Sequence, residues 1–214
     1  MKKFFLACLL LLFSSLALAD APKLGTDFDA VTQPITTENT TKIEVMEIFW
    51  YGCPHCYHMD EPLNAWVKKL PKDVYFKRVP GLPNPSWAPM AKAFYAMDVL
   101  GVGEKLHTPL FEAVHKSKTL NPTDEAAAIA WVTQQSGLDK LKVEQAFKSF
   151  STNTNLNRAA QIFRASGATG VPTLVIDGKY ITSATQAGGN EQALKIADYI
   201  IGNVRTDKAA AAKK

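Results

Sequence analysis

Two cysteines separated by two residues are the part of this sequence best suited to chemistry. The motif reads Cys53-Pro54-His55-Cys56, and it follows an apolar, β-prone run and precedes a helical pattern. A Cys-x-x-Cys at the junction of a strand and a helix is typical of a redox-active dithiol. About one helical turn separates the two sulfurs, which lets them close a disulfide and open it again. The motif therefore predicts thiol-disulfide exchange.

The start of the helix is expected to give the two cysteines different reactivities. Pro54 suits the first helical turn, where no backbone N–H is needed, so Cys53 falls at the helix N-terminus and Cys56 one turn inside. Unpaired N–H groups and the positive end of the helix dipole stabilise a thiolate there. His55 is expected to donate a hydrogen bond to the Cys53 thiolate or to add positive charge. A surface position in an exposed loop is the alternative for His55.

The first nineteen residues have the pattern of a secretory signal peptide. Two lysines precede an apolar stretch, and small residues end at Ala19, where we expect cleavage. Cys8 lies in this leader, so the mature chain holds Cys53 and Cys56 and no framework of structural disulfides. An exported protein whose cysteines all lie in a Cys-x-x-Cys is expected to act on the thiols of other proteins.

Charge and hydropathy exclude two broad classes of function. The formal net charge is +4, and the leader carries two lysines and no acid, which leaves +2 for the mature chain. So small a net positive charge is not typical of a nucleic-acid-binding protein. No uninterrupted apolar run of membrane-spanning length follows residue 19, so no transmembrane helix is predicted in the mature chain.

The pattern of apolar residues predicts an α/β protein, a thioredoxin-like fold with an inserted α-helical domain. A strand over 42–50, the motif helix over 54–69 and a strand over 74–79 form a βαβ unit. The sheet resumes in a strand that ends at Ile176, and Asp177-Gly178 is a strong hairpin signal. Between these parts five amphipathic helices are expected, over 87–100, 104–117, 123–136, 139–150 and 153–166.

A helix over 190–203 is expected to close the fold. The predicted organisation is a signal peptide at 1–19, a thioredoxin-like domain made of 20–82 and 167–204, an inserted helical domain at 83–166 and a flexible tail at 205–214. The segment 20–41 is too short for an N-terminal dimerisation domain, so the chain is predicted to be a monomer.

The chain resembles the DsbA family of periplasmic thiol:disulfide oxidoreductases over nearly all of the mature sequence. The resemblance is carried by Cys53-Pro54-His55-Cys56, by Gly170-Val171-Pro172-Thr173 and by the helical segment between them. The dipeptide Pro-His is typical of that family, whereas thioredoxin usually carries Gly-Pro and protein disulfide isomerase Gly-His. The resemblance implies a periplasmic protein in which Val171-Pro172 is a cis peptide bond packed against the disulfide. It also implies that the Val171 backbone pairs with an extended substrate segment.

From sequence alone a trans proline at the start of a strand is the alternative for Pro172. Glu47 lies in a strand that is apolar on both faces, which indicates a central strand, although a position on the rim of the sheet is also open. The family has a buried acid at the matching position, with a basic residue near the position of Arg78. The resemblance therefore implies that Glu47 relays a proton to or from Cys56. Glu44 is expected to face solvent.

The predicted activity is donation of the Cys53-Cys56 disulfide to reduced exported proteins, through a mixed disulfide at Cys53. The resemblance implies that a quinone-coupled membrane partner of the DsbB type reoxidises the dithiol. No metal or organic cofactor is expected.

Three other interpretations are open, and a fourth, haem attachment by the usual motif, is excluded. A zinc site on Cys53, Cys56 and His58 lacks the four ligands that a structural site needs. Haem attachment requires a histidine where Tyr57 stands. A disulfide isomerase or reductant, and a non-catalytic binding module with the same fold, are the remaining alternatives. The other two histidines, His107 and His115, are isolated in sequence and are expected to be structural or solvated.

Overall fold

The computed structural model describes residues 21–213, so the predicted signal peptide lies outside the described residues. Within this part of the chain the strands are β1 (Asp29–Ala30), β2 (Ile43–Phe49), β3 (Val74–Pro80), β4 (Thr173–Ile176) and β5 (Tyr180–Ser183). The helices are α1 (Pro54–Val67), α2 (Ala88–Val99), α3 (Gly103–His115), α4 (Glu125–Ser136), α5 (Lys140–Phe147), α6 (Phe150–Ser166), α7 (Ala184–Ala187) and α8 (Asn190–Ala211), with a single 3-10 turn at Pro85–Trp87.

The strands form one sheet in the order β1-β5-β4-β2-β3. β2 pairs parallel with β3 and antiparallel with β4, and α1 connects the parallel pair. All seven residues of β2 are buried, as expected for an interior strand covered on both faces. Asp177 and Gly178 join β4 to β5 with φ angles of 52° and 63°, the positive values that a type I′ hairpin turn requires. The predicted βαβ unit and hairpin are therefore confirmed.

Five helices, α2 to α6, lie between β3 and β4 in the chain, which confirms the thioredoxin-like fold with a helical insertion. One apolar core joins α2 to α5 to the carboxyl end of β2, where Phe49 and Tyr51 pack against Phe111. A second core lies between the sheet, α1 and α8, and a third includes Met46, Ile48 and residues of α6. The end of β2 thus reaches the boundary between the sheet and the inserted helices.

The prediction of a flexible tail from residue 205 is wrong as far as residue 211, because α8 continues to Ala211 instead of ending near 203. Two ion pairs hold its last turns against the segment before β3 and the turn between β4 and β5. Arg205 Nε lies 2.6 Å from Asp73 Oδ2, and Lys208 Nζ lies 2.9 Å from Oδ1 of the buried Asp177. Lys208 also donates to two backbone carbonyls, those of Thr40 and Lys42.

The prediction that Glu44 faces solvent is also wrong, because its side chain is 1% exposed. The neighbouring strand supplies its partners: the Tyr75 hydroxyl donates to Glu44 Oε2, and Lys77 Nζ lies 2.9 Å from the same oxygen. A buried carboxylate is tolerated when it is paired in this way. Among residues 21–213 no helix is long and apolar enough to cross a membrane.

Candidate active site

The two cysteines lie where the sequence predicts, at the start of α1. Cys53 is the N-cap residue, with extended backbone angles, and Pro54 occupies the first helical position. Both thiols are free, so the structure shows the reduced dithiol. Cys53 is partly exposed, whereas Cys56 is fully buried against the core that contains Phe49 and Tyr51. The two sulfurs therefore differ in their access to solvent.

Contacts at the helix start favour the charged form of Cys53. A hydrogen bond from the Cys56 thiol is the largest effect, and backbone N–H groups of Cys56 and His55 and the charge of His55 act in the same direction. Partial burial of the sulfur opposes them. Together these effects lower the pKa of Cys53 to about 6. His55 is exposed, and it acts through its backbone and its charge.

Cys56 is shifted in the opposite direction. Burial raises the pKa of the Cys56 thiol well above its ordinary value, and its hydrogen bond to Cys53 and the charges of Cys53 and Glu47 add to the effect. At neutral pH Cys53 is therefore the thiolate and Cys56 the thiol. The thiolate is the more nucleophilic form of a cysteine.

The loop before β4 faces the motif. The Val171-Pro172 peptide bond is cis, as predicted. Cys53 Sγ lies 3.3 Å from the Val171 backbone oxygen, to which the thiol donates a hydrogen bond when it is protonated. Gly81 lies behind this loop, where an added Cβ would come within 3.3 Å of Val171 Cγ1 and of Phe163 Cδ2. The reactive sulfur is thus in contact with the backbone segment proposed to hold substrate.

Glu47 lies in β2, and its side chain is 2% exposed, which confirms the central position over the rim. Arg78 stands opposite it on β3 and donates from Nε to Glu47 Oε2 at 2.9 Å. Burial raises the pKa of Glu47 to about 7, with Arg78 opposing the shift and Asp60 adding to it. A carboxyl group with this pKa exchanges its proton near neutral pH.

Arg78 also binds a set of polar residues that the sequence interpretation missed. Its Nη2 donates to Asn64 Oδ1 at 2.7 Å and lies 3.4 Å from Asp60 Oδ1. Both partners are on α1, and Asp60 is buried. Cys56, Asp60 and Asn64 are spaced by four residues, so they share one helix face, and this spacing is the sequence signal that could have indicated Asp60.

Asp60 connects in turn to α3. The Thr108 hydroxyl donates to Asp60 Oδ2 at 2.6 Å, and His107 Nε2 lies 3.4 Å from Asp60 Oδ1. His107 Nδ1 and the Tyr51 hydroxyl are 2.7 Å apart in a buried hydrogen bond. We call Arg78, Asp60, Asn64, His107 and Thr108 the Asp60 network. His107 is structural, as expected, but it also lies beside the site. Because 56 residues separate it from Tyr51, no local sequence pattern indicated their contact.

Two further contacts fix the turn before Cys53. His115 donates from Nε2 to the Tyr51 backbone oxygen at 2.7 Å and stacks on Tyr57. Trp50 stacks on Trp87 with ring centres 4.2 Å apart. An added Cβ at Gly52 would lie 2.4 Å from the Trp50 ring, so a side chain here would displace that ring.

His58 is exposed and makes a ring contact with Tyr57. Within residues 21–213 no group of three histidine, cysteine, aspartate or glutamate side chains is placed to hold a metal ion.

A reactive dithiol at the first helix of a thioredoxin-like sheet, facing a cis-proline loop, defines a thiol:disulfide oxidoreductase. The chain belongs to the family described as the DSBA-like thioredoxin domain, whose model matches residues 76–200.

Curated relatives agree with this assignment. The chain is 38% identical over 205 residues to the thiol:disulfide interchange protein DsbA of Pseudomonas aeruginosa. The alignment covers 95% of this chain and 93% of the relative. It is 37% identical over 213 residues to the protein of the same name from Burkholderia cepacia, covering 97% of this chain and 100% of the relative.

Solved structures show the same fold. The crystal structure of Pseudomonas aeruginosa DsbA aligns with a TM-score of 0.80 at 36% identity, covering 90% of this chain and 97% of that one. The oxidoreductase DsbA from Xylella fastidiosa aligns with a TM-score of 0.81 at 30% identity, covering 87% of this chain and 100% of that one.

Proposed function

We propose that this oxidoreductase acts as a dithiol oxidase, which donates the Cys53-Cys56 disulfide to reduced exported proteins. The observation that carries the proposal is the asymmetry of the two sulfurs: the pKa of Cys53 is lowered to about 6, while that of Cys56 is raised. The stabilised thiolate exists in the reduced enzyme alone. Its stabilisation favours the reduced state, and a protein whose reduced state is favoured draws electrons from its substrates.

The exchange proceeds in two steps that balance in bonds and protons. A substrate thiolate attacks Cys53 Sγ, the Cys53-Cys56 bond breaks, and a mixed disulfide forms between substrate and Cys53. Cys56 leaves with the electron pair and takes a proton from Glu47. A second substrate thiolate then attacks the substrate sulfur of the mixed disulfide. Cys53 leaves as a thiolate, and the substrate departs with its new disulfide.

Each residue of the site has a role in this scheme. Cys53 is the sulfur that is attacked, since it is the exposed one, and its lowered pKa makes it a good leaving group in the second step. Pro54 starts the helix that stabilises the thiolate, and His55 adds charge. The backbone of Val171, beside Pro172, binds an extended substrate segment next to the sulfur.

The proposed setting follows from the leader and the family resemblance. A signal peptide at 1–19 would export the chain to the periplasm, where disulfides persist. The resemblance to the DsbA family of periplasmic oxidoreductases implies the same location. A quinone-linked membrane partner of the DsbB type would reoxidise the dithiol. The chain would act as a monomer and without a metal or organic cofactor.

The test is oxidation of a reduced, unfolded protein that contains disulfides in its native state. Each oxidised enzyme molecule should consume two substrate thiols as its Cys53-Cys56 disulfide is reduced to the dithiol. Cys56→Ala, with Cys53 first converted to a mixed disulfide with glutathione, should exchange the glutathione for a substrate thiol and accumulate a mixed disulfide between Cys53 and the substrate. Cys53→Ala is the matched control and should form none. A disulfide that is inert towards this substrate would indicate a non-catalytic module. Preferential reshuffling of a scrambled substrate, without net oxidation, would indicate an isomerase.

A further inference from the structure

The guanidinium group of Arg78 is shared between two buried carboxyl groups. Its Nε donates to Glu47 Oε2 at 2.9 Å, and its Nη2 lies 3.4 Å from Asp60 Oδ1 while donating to Asn64. Glu47 and Asp60 are 2% and 4% exposed. One cation therefore faces two acids in a region of low dielectric, where ionising both leaves a net negative charge.

The surroundings decide which of the two acids keeps its charge. Asp60 accepts a hydrogen bond of 2.6 Å from Thr108, and it has contact with both His107 and Arg78. Although burial acts in the opposite direction, these contacts lower the pKa of Asp60. Glu47 has Arg78 as its charged hydrogen-bond partner among the described residues. Asp60 is thus the acid that stays ionised, and Glu47 is the acid that takes up the proton.

We propose that Asp60 is a positioning residue for the proton transfer between Glu47 and Cys56. Asp60 attracts part of the positive charge of Arg78, so the negative charge of an ionised Glu47 is only partly compensated. Glu47 can therefore carry a proton at the pH where the enzyme works. The proposal rests on the proton role of Glu47 in the proposed function. It adds the reason why Glu47, and not Asp60, exchanges the proton.

The other charged and titratable groups near this pair come from the end of β2, α1 and its two ends, β3, α2 and α3. They are Tyr51, Cys53, Cys56, Glu61, Lys68, Lys77, Arg78, Asp98, Glu104 and His107. Burial lowers the pKa of His107, so it is neutral near pH 7 and brings no charge to offset Asp60. Arg78, Asn64, His107 and Thr108 line a groove of about 580 Å³ that is open to solvent. The Asp60 network therefore lies between Glu47 and bulk water.

The experiment measures how the oxidised enzyme is reduced by a small thiol as a function of pH. Cys53 and Cys56 do not titrate in this state, so a break near pH 7 that disappears in Glu47→Gln reports on Glu47. After correction for the thiolate fraction of the reductant, Asp60→Asn should move this break to lower pH by at least about one unit. At pH 7 this shift lowers the protonated fraction of Glu47 by roughly threefold to tenfold. The part of the reduction rate that depends on protonated Glu47 falls by the same factor. An unmoved break would overturn the proposal.

Glu61→Gln is the matched control. Glu61 follows Asp60 on α1 and is exposed, so its loss removes one nearby charge without touching Arg78 and should leave the break unchanged. A shift as large in Glu61→Gln as in Asp60→Asn would also refute the proposal, because it would show a general charge effect. Adding Asp60→Asn to Glu47→Gln should have no further effect on the profile.

Asp60→Asn could fail to fold, and a second measurement covers that case. A carboxyl ¹³C NMR titration of the unaltered enzyme should show Asp60 ionised throughout the range in which Glu47 titrates. An Asp60 that titrates above Glu47 would refute the proposal. Neither measurement requires oxidation of a protein substrate, so failure of this inference is distinguishable from failure of the proposed function.

Discussion

The sulfur of Cys53 lies 3.3 Å from the backbone carbonyl oxygen of Val171, a residue 118 positions further along the chain. The first residue belongs to the junction of β2 and α1, and the second to the loop that leads into β4, on the far side of the helical insertion. Their contact brings the two halves of the thioredoxin-like domain together at the reactive atom. A substrate that reaches this sulfur therefore meets the Val171 backbone as well.

Alkylation should distinguish the two cysteines of the reduced enzyme. Because the pKa of Cys53 is about 6 and that of Cys56 is raised, iodoacetamide should label Cys53 first, with a rate that rises through about pH 6. Mass spectrometry of the labelled peptide, taken at several pH values, gives both the site and the midpoint. Preferential labelling of Cys56 would reverse the roles assigned to the two sulfurs.

The Cys56 thiol should be a main cause of the acidity of Cys53. Its hydrogen bond is the largest of the effects that lower the pKa of Cys53, so Cys56→Ala should move the alkylation midpoint of Cys53 upwards from about 6. Cys56→Ser is the matched control, because its hydroxyl can still donate, and its midpoint should lie below that of the alanine variant. Equal midpoints in the two variants would indicate that the helix start alone sets the pKa.

Replacing Glu47 by Gln should slow the exchange steps in which Cys56 gains or loses a proton, and it should also change how stability depends on pH. The pKa of Glu47 rises from 4.5 to about 7 on folding, so its contribution to the free energy of unfolding is fully present below about pH 4.5 and is lost as the pH rises through about 7. Denaturant titrations should show that this loss occurs in the unaltered enzyme and is missing in Glu47→Gln. Identical pH profiles for both proteins would contradict the assigned pKa.

Lys208→Met should destabilise the fold while leaving the redox chemistry unchanged. Asp177 is 5% exposed overall, and removing Lys208 leaves it with Lys179, whose side chain is 55% exposed. Loss of one partner from a buried charge costs about 1–3 kcal/mol. Chemical denaturation checks this value, with Lys195→Met, an exposed lysine of the same helix, as the control. A loss no larger than that of the control would mean that the end of α8 contributes little to stability.

Reduction should stabilise the fold, by an amount that depends on pH. The pKa of Cys53 is lowered from 9.0 to about 6 in the folded chain, so its thiolate adds stability to the reduced form that is complete above about pH 9 and is lost as the pH falls through about 6. The disulfide closes so short a loop that its effect on chain entropy is small. Thermal melts should therefore show a higher Tm for the reduced form at pH 7 and a smaller difference at pH 5. A difference that grows on acidification would contradict this account.

Features that depend on neighbours along the chain were predictable from the sequence. The dithiol at the helix start, the Asp177-Gly178 hairpin and the buried strand that holds Glu47 all have local signals, and the structure contains each of them. Glu44 was misplaced because its burial depends on Tyr75 and Lys77 of β3, partners that a strand pattern does not specify.

Contacts between distant segments were not predictable. The end of α8, over 205–211, has no large apolar side chain to mark it as packed. Arg205 and Lys208 hold it through acids on other elements. The hydrogen bond between Tyr51 and His107 joins residues from different parts of the fold. Asp60 was missed although a local signal exists, since its four-residue spacing from Cys56 puts it on the face of α1 that carries the buried sulfur.

The most direct test of an oxidant role is the equilibrium between the enzyme and glutathione at pH 7. The fraction of reduced enzyme, followed across a series of ratios of reduced to oxidised glutathione, gives the equilibrium constant for the Cys53-Cys56 pair. We predict that the enzyme is largely reduced even when oxidised glutathione is in excess, because the Cys53 thiolate stabilises the reduced form. A Cys53-Cys56 pair that stays oxidised until reduced glutathione is in large excess would contradict the oxidant role and indicate a reductant.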